Sequence, residues 1–126
     1  MGTLLDTSVL IAFERNSATL PLTDNVAISA ITLSELLRGL HRADAAHRGP
    51  RLAFIENALR IFPVVPFTEA VARIHAELWA QTEAAGKVPG AADLIIAATA
   101  VALGWEVATL DRRGFSQIPG LALRYL

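Results

Sequence analysis

The chain has 126 residues, a formal net charge of −1 and no cysteine, and 53% of its residues are hydrophobic. This length predicts one domain over residues 1–126, and the lack of cysteine excludes disulfide bonds and thiolate metal ligands. The charge excludes a basic field over the whole molecule, which would have indicated nucleic-acid binding.

The high hydrophobic content is explained either by a membrane segment or by apolar surface that a partner covers. The longest apolar-rich stretch, residues 91–105, contains Asp93 and is shorter than the ~20 residues of a membrane-spanning helix. No basic segment precedes an apolar run at the N-terminus, so we expect no signal peptide, no membrane insertion and a cytoplasmic location. We therefore expect a partner to cover the apolar surface, and a homodimer is the simplest such assembly.

Short apolar runs alternate with amphipathic stretches along the chain. The runs predict strands at residues 3–5, 26–31, 62–67, 105–110 and 121–126. The amphipathic stretches predict helices at residues 7–15, 32–40, 50–60, 68–85 and 91–103. The third of these helices is expected to place Leu52, Ile55 and Leu59 on one apolar face. The alternation predicts an α/β fold, in which helices cover both faces of a parallel sheet.

Two of the predicted helices, at residues 68–85 and 91–103, follow each other with no strand between them. For the next strand to be parallel, the second helix must begin at the sheet edge where the first one begins. The loop of residues 86–90 reaches at most ~18 Å, whereas the first helix is roughly 27 Å long. We therefore expect an irregular conformation near residues 82–90.

Four acidic residues are expected at the same edge of this sheet. Asp6 and Asp111 follow predicted strands, and Glu35 and Asp93 lie in the first turns of predicted helices. Strand ends and helix starts meet at one edge of a parallel sheet, where ligands bind. The four carboxylates would repel one another there, and a divalent cation would remove the repulsion. Oxygen ligands favour Mg²⁺ or Mn²⁺ over zinc, and no histidine pair has the spacing of a zinc site.

Each acid also has a purely structural interpretation. Thr32 and Glu35 fit the S/T-x-x-E capping box, in which the glutamate only bonds a backbone N–H. Asp6 and Asp93 fit helix caps or first turns, and Asp111 fits a turn. Asp93 fits least well, because its neighbours are apolar and an unpaired buried carboxylate is costly. The case for a site therefore depends on all four acids lying together.

A Mg²⁺ ion held by few carboxylates keeps positions open for water and phosphate oxygens, which is what phosphodiester hydrolysis requires. Two alternatives use Mg²⁺ on the same kind of sheet, a receiver domain and a haloacid-type phosphatase. The third predicted strand lacks the acceptor aspartate of a receiver, and Ser8 stands where the phosphatase has its second acid. A binding module that has lost catalysis is a further alternative.

Four short motifs occur in order along the chain: DTS at residues 6–8, SELLRG at 34–39, DLIIAATA at 93–100 and TLD at 109–111. Together they resemble the PIN domain, and more narrowly the VapC-type toxins of type II toxin–antitoxin pairs. The resemblance covers the whole chain. It implies a three-layer α/β fold with a central, mostly parallel five-stranded sheet flanked by helices. It also implies a Mg²⁺- or Mn²⁺-dependent endoribonuclease that hydrolyses RNA phosphodiester bonds.

The same resemblance implies roles for individual residues and partners. It implies four acids that hold the metal and catalyse the reaction: Asp6, Glu35, Asp93 and Asp111. It implies three supporting hydroxyl residues near the metal: Thr7, Ser8 and Thr109. Members usually form homodimers, and a small antitoxin blocks the site and binds operator DNA. We accordingly expect RNA as substrate, a cognate antitoxin, a second copy of the chain, and operator DNA only through the antitoxin.

One position departs from the family pattern. Relatives often carry another acid three residues after the position of Asp111, whereas this chain has Gly114 there. We therefore expect one well-occupied metal ion rather than two. The turn at residues 111–115 could require a positive φ at Gly114, which glycine adopts freely. Arg112 and Arg113, in the same turn, are candidates for binding RNA phosphates.

Overall fold

A computed structural model describes residues 1–16 and 25–126 of the chain, except for the side chain of Asn16. Five short strands form one sheet: β1 (Thr3–Leu5), β2 (Val26–Ser29), β3 (Val64–Val65), β4 (Glu106–Thr109) and β5 (Leu123–Tyr125). Their order across the sheet is β3-β2-β1-β4-β5, and every neighbouring pair is parallel. The predicted parallel sheet is therefore confirmed.

Helices cover both faces of the sheet. In chain order they are α1 (Thr7–Asn16), α2 (Ala30–Arg42), α3 (Ala45–Ile61), α4 (Glu69–Ala84), α5 (Ala91–Leu103) and the one-turn α6 (Arg112–Phe115). Because side chains alternate along a strand, Leu4 packs with α4 and α5 while Leu5 packs with α1 and α3. The result is the predicted three-layer α/β architecture. Within the described ranges, none of the helices combines the length and apolarity needed to cross a membrane.

The second helix begins earlier than predicted. β2 ends at Ser29 rather than at residue 31, and the Ser29 hydroxyl caps α2 by accepting a bond from the Ile31 amide at 3.2 Å. The capping box of Thr32 and Glu35 is therefore wrong. Glu35 lies in the second turn of α2, too far from the helix start to bond the cap residue, and its carboxylate is left for other contacts.

The third helix also begins earlier, at Ala45 rather than at Pro50, because Asp44 caps it by accepting a bond from the His47 amide at 3.0 Å. Pro50 lies inside the helix at an exposed position. A proline has no amide hydrogen, so the carbonyl one turn earlier loses its helical partner, and here water can replace that partner.

The apolar face predicted for this helix is correct only at Ile55, which is buried. Leu52 and Leu59 are 41% and 40% exposed, so their placement toward the core is wrong. Ala58 and Phe62 complete the buried face instead. Residues 55, 58 and 62 are spaced i, i+3 and i+7, as are residues 52, 55 and 59. The helical period alone therefore does not decide which of the two faces is buried.

The predicted irregularity between α4 and α5 is confirmed. α4 ends at Ala84, and residues 87–90 form no helix before α5 begins. Gly86 has a φ of 74°, and the Lys87 amide bonds the Thr82 carbonyl at 3.0 Å, which is a common closure of a helix end. α5 begins at the edge of the sheet where the strands end, because its Asp93 lies close to Asp6 and Asp111.

The segment after β4 is a short helix rather than an open turn. The Asp111 carboxylate caps α6, which covers residues 112–115. Among the described glycines, positive φ values occur at residues 86, 104 and 120. The positive φ considered for Gly114 is therefore wrong, and this position does not need glycine for its backbone conformation.

Candidate active site

The predicted acids lie at the carboxyl edge of the sheet, next to the point where the strand order changes direction. β1 and β4 are neighbours, and the sheet continues from them to β2 and β3 on one side and to β5 on the other. Asp6 follows β1 directly, and its amide bonds the Ala108 carbonyl of β4 at 2.9 Å. Such a switch point leaves a crevice at the strand ends, which is where folds of this kind bind ligands.

Two hydroxyl groups hold the buried carboxylate of Asp6. Its Oδ2 accepts hydrogen bonds from Ser8 Oγ at 2.7 Å and from Thr109 Oγ1 at 2.9 Å. Each hydroxyl is itself oriented, because Ser8 Oγ accepts from the Leu110 amide at 3.2 Å and Thr109 Oγ1 accepts from the Asp111 amide at 2.9 Å. The structure therefore places Ser8 and Thr109 beside the acids, and they fix the direction of the Asp6 side chain.

A third hydroxyl holds Glu35. Thr7 Oγ1 donates to Glu35 Oε1 at 2.6 Å and lies 3.1 Å from the hydroxyl of the fully buried Thr32. Sequence reasoning gave Thr32 a capping role and missed its contact with Thr7. The available signal was its position three residues before Glu35, which puts both side chains on one side of α2.

Asp93 and Asp111 meet over Gly114. Asp111 Oδ1 accepts from the amides of Arg113 and Gly114 at 3.0 and 3.1 Å, so the predicted turn role is real, but this carboxylate also faces the other acids through Oδ2. A Cβ atom on residue 114 would lie 2.7 Å from Asp111 Oδ2 and 2.7 Å from Asp93 Oδ2. Asp93 Oδ2 and Asp111 Oδ2 are therefore separated by no more than twice 2.7 Å. Glycine at residue 114 has no side chain and so leaves room for both oxygens.

The charges of the four acids interact. Burial raises the pKa of Asp93 to about 6, with further contributions from the charges of Asp6, Asp111 and Glu35. No lysine, arginine or histidine of the described residues forms an ion pair with any of these four carboxylates. The carboxylate cluster, meaning Asp6, Glu35, Asp93 and Asp111, therefore carries negative charge that no ion pair within residues 1–16 and 25–126 balances.

The cluster fits a hard divalent cation by the chemistry of its donors. All four side chains offer carboxylate oxygens, which Mg²⁺ and Mn²⁺ prefer. In residues 1–16 and 25–126, no three acidic or histidine side chains are already arranged around one point as a complete ligand set. This does not conflict with Mg²⁺, which protein sites commonly hold through one or two carboxylates and several waters.

The two arginines proposed to contact RNA lie on α6 beside Asp111. The Arg112 guanidinium stacks 4.5 Å from the centre of the Tyr125 ring, which directs it toward β5. Arg113 is exposed. Both residues follow Asp111 directly in the chain, and RNA contact by either of them stays a prediction.

Comparison with known proteins identifies relatives of the whole fold. A sequence model of the PIN domain matches residues 3–121 of the chain. The protein named Ribonuclease VapC from Rickettsia bellii (strain RML369-C) is 35% identical, covering 96% of this chain and 93% of its own length.

Two solved structures share this architecture. The DNA-bound VapBC from Salmonella typhimurium matches with a TM-score of 0.91 and 27% identity, covering 99% of this chain and 98% of that one. VapBC-5 from Mycobacterium tuberculosis, a member of the VapBC family of toxin–antitoxin systems, matches with a TM-score of 0.81 and 31% identity, covering 99% and 97%.

Proposed function

Because this chain belongs to the PIN-domain family and is similar to the VapC members of that family, we propose that it is a divalent-metal-dependent endoribonuclease and the toxin of a toxin–antitoxin pair. The observation that carries this proposal is the convergence of four carboxylates without a paired cation in the described part of the chain. Such a cluster is unfavourable unless a bound cation neutralises it. Family membership also argues against the receiver and phosphatase alternatives.

We assign the cation, Mg²⁺ or Mn²⁺, to the carboxylate cluster as one well-occupied ion, because Gly114 supplies no fifth carboxylate. When bound, the ion would supply a more acidic water and stabilise charge on the phosphate oxygens. The contribution of the chain itself is orientation. Ser8 and Thr109 fix Asp6, and Thr7 fixes Glu35, so these ligands need little reorganisation to act.

The partners follow from the same assignment. We propose RNA as the substrate, a cognate antitoxin as the inhibitor, operator DNA reached only through that antitoxin, and action in the cytoplasm. The VapBC relatives support the antitoxin. A homodimer is also proposed, and the half-exposed side chains of Phe67, Trp79 and Val88 support apolar contact with another protein. Arg112 and Arg113 would bind RNA phosphates.

RNA cleavage by the wild type and Asp6→Asn, with Mg²⁺ or Mn²⁺ and with EDTA, tests the proposal. We expect EDTA to abolish cleavage and Asp6→Asn to reduce it by roughly 100-fold or more, because the ligand charge is lost. Asp44→Asn is the matched control, since Asp44 is exposed and asparagine caps a helix as well as aspartate. Melting in EDTA should show Asp6→Asn folded and no less stable, because one repelling charge is gone.

Two results would contradict the proposal. Full activity of Asp6→Asn would show that the carboxylate cluster is not the site. A wild type that binds RNA but never cleaves it, with either ion, would instead support the binding-module alternative.

A further inference from the structure

Beside the carboxylate cluster, α2 and α3 line an open pocket of about 280 Å³, and none of the roles above uses its arginines. We call it the arginine pocket, after the residues that line it: Glu35, Arg38, Gly39, Arg42 and Arg51. Glu35 belongs both to this pocket and to the carboxylate cluster. The arginine pocket therefore adjoins the candidate active site and extends from it along α2.

The arginines of this pocket differ in how their charge is balanced. Arg51 is paired, because its Nε lies 3.3 Å from Glu14 Oε1 and its Nη1 donates to the Gly39 carbonyl at 3.4 Å. Neither Arg38 nor Arg42 forms an ion pair with a carboxylate of the described residues, and both side chains are exposed. The pocket thus presents two unbalanced guanidinium groups next to the acidic site.

These charges lie in a line that begins at the active site. Glu35, Arg38 and Arg42 occupy positions i, i+3 and i+7 of α2, which places them on one side of the helix over about 10 Å. Arg51 faces them from α3. A bound chain that leaves the carboxylate cluster along this side would meet Arg38 first and Arg42 next.

We propose that the arginine pocket is a phosphate subsite for the RNA strand, which holds the phosphates next to the one positioned at the carboxylate cluster. This inference rests on the proposed ribonuclease function. Four carboxylates repel RNA, so neighbouring cations must supply the attraction that brings a strand to them. The guanidinium fork suits this task, because it matches two phosphate oxygens at once.

An acidic segment of a protein partner is the other macromolecule that arginines could bind. Protein interfaces have an apolar centre, and segments that dock in grooves insert apolar anchors. The arginine pocket has no apolar side chain to hold such an anchor, because all of its lining residues except Gly39 are charged. The composition of the pocket therefore favours RNA phosphates.

RNA binding by an inactive protein tests the subsite. In the Asp6→Asn background with Mg²⁺, fluorescence anisotropy would give the Kd for a short fluorescein-labelled single-stranded RNA of random sequence. We expect Arg38→Gln and Arg42→Gln each to weaken binding roughly fivefold and to lower the salt slope of log Kd by about 0.7 per lost phosphate contact. Lysine at either position should give intermediate Kd values, because the charge remains but the fork is lost.

Arg60→Gln is the matched control, since Arg60 is an exposed arginine of α3 that does not line the pocket. Thermal melting establishes that each variant is folded. Kd values and salt slopes equal to those of Arg60→Gln would overturn the subsite, while RNA cleavage by the wild type would still stand. Variants that keep RNA affinity but no longer co-purify with a co-expressed antitoxin would also overturn it, because a protein segment would then occupy the pocket.

A wild type that neither cleaves nor binds RNA would refute both the ribonuclease function and the subsite. A wild type that cleaves RNA, with weaker binding in the pocket variants only, supports both. The two failures are therefore distinguishable by measuring cleavage and binding on the same preparations.

Discussion

Gly114→Ala is the substitution for which the structure gives the sharpest expectation. A Cβ atom at residue 114 would lie 2.7 Å from Asp111 Oδ2 and 2.7 Å from Asp93 Oδ2. Ordinary van der Waals contact begins at 3.4 Å, so each carboxylate must withdraw by the difference between these distances, about 0.7 Å. A single methyl group would thus displace two of the proposed metal ligands at once.

The stability of the metal-free protein should change little, because opposing contributions nearly cancel. Alanine is favoured over glycine in a helical turn by about 0.5–1 kcal/mol, and separating two carboxylates relieves repulsion. Against this, Asp111 caps α6 through Oδ1, and turning its side chain weakens a cap worth about 1 kcal/mol. We expect the free energy of unfolding in EDTA to change by less than about 1 kcal/mol.

The affinity for Mn²⁺ should fall roughly 10- to 100-fold, which is the usual effect of altering a group that orients a metal ligand. Isothermal titration calorimetry measures this affinity, and urea unfolding in EDTA measures the stability. Gly49→Ala is the matched control, because Gly49 lies inside α3 and a Cβ there meets no atom within 4 Å. Wild-type Mn²⁺ affinity in Gly114→Ala would refute the reasoning, since Asp93 and Asp111 would then not converge over residue 114.

Two further predictions concern the same cluster. Thr109→Val should lower the free energy of unfolding by about 1–3 kcal/mol, because Asp6 loses a hydrogen-bond donor and the Asp111 amide loses its acceptor. Urea unfolding measures this loss, and Thr109→Ser, which keeps the hydroxyl, should lose less stability. The pKa of Asp93 is raised from 3.8 to about 6, so the folded state binds this proton more tightly than the unfolded state does. The free energy of unfolding in EDTA should therefore fall as the pH rises from roughly 4 to 7. Thermal melting of Asp93→Asn should lack the part of this decrease that Asp93 contributes.

The sheet and the positions of three of the four acids could be predicted because the controlling signals are local. Asp6 and Asp111 each follow a short apolar run, and strand ends of a parallel sheet share one edge whatever the details of packing. Asp93 could be predicted from its apolar neighbours, which make an unpaired carboxylate costly. The need for an irregular return between α4 and α5 followed from helix length and loop reach alone.

The start of α2 could not be predicted, because it depends on pairing in the sheet. Ser29 is opposite Val65 of β3, and the strand ends where this pairing ends. Ser29, Thr32 and Ser34 are all competent caps by residue type, so the sequence alone does not select among them. The choice matters for function, because capping by Ser29 leaves Glu35 in the second turn, where Thr7 can hold it.

The arrangement of hydroxyls and acids implies a conflict between stability and the proposed function. Thr7, Ser8 and Thr109 hold Asp6 and Glu35 in place, so these carboxylates cannot easily turn away from one another. Repulsion in the metal-free cluster is therefore retained and must be balanced by the packed layers on both faces of the sheet. A bound cation would attract the carboxylates held in this same geometry, and their mutual repulsion would then no longer destabilise the protein. Neutral substitutions in the cluster should accordingly tend to stabilise the metal-free protein while removing the stabilisation that added metal provides, which is the expected signature of a functional site rather than of helix caps.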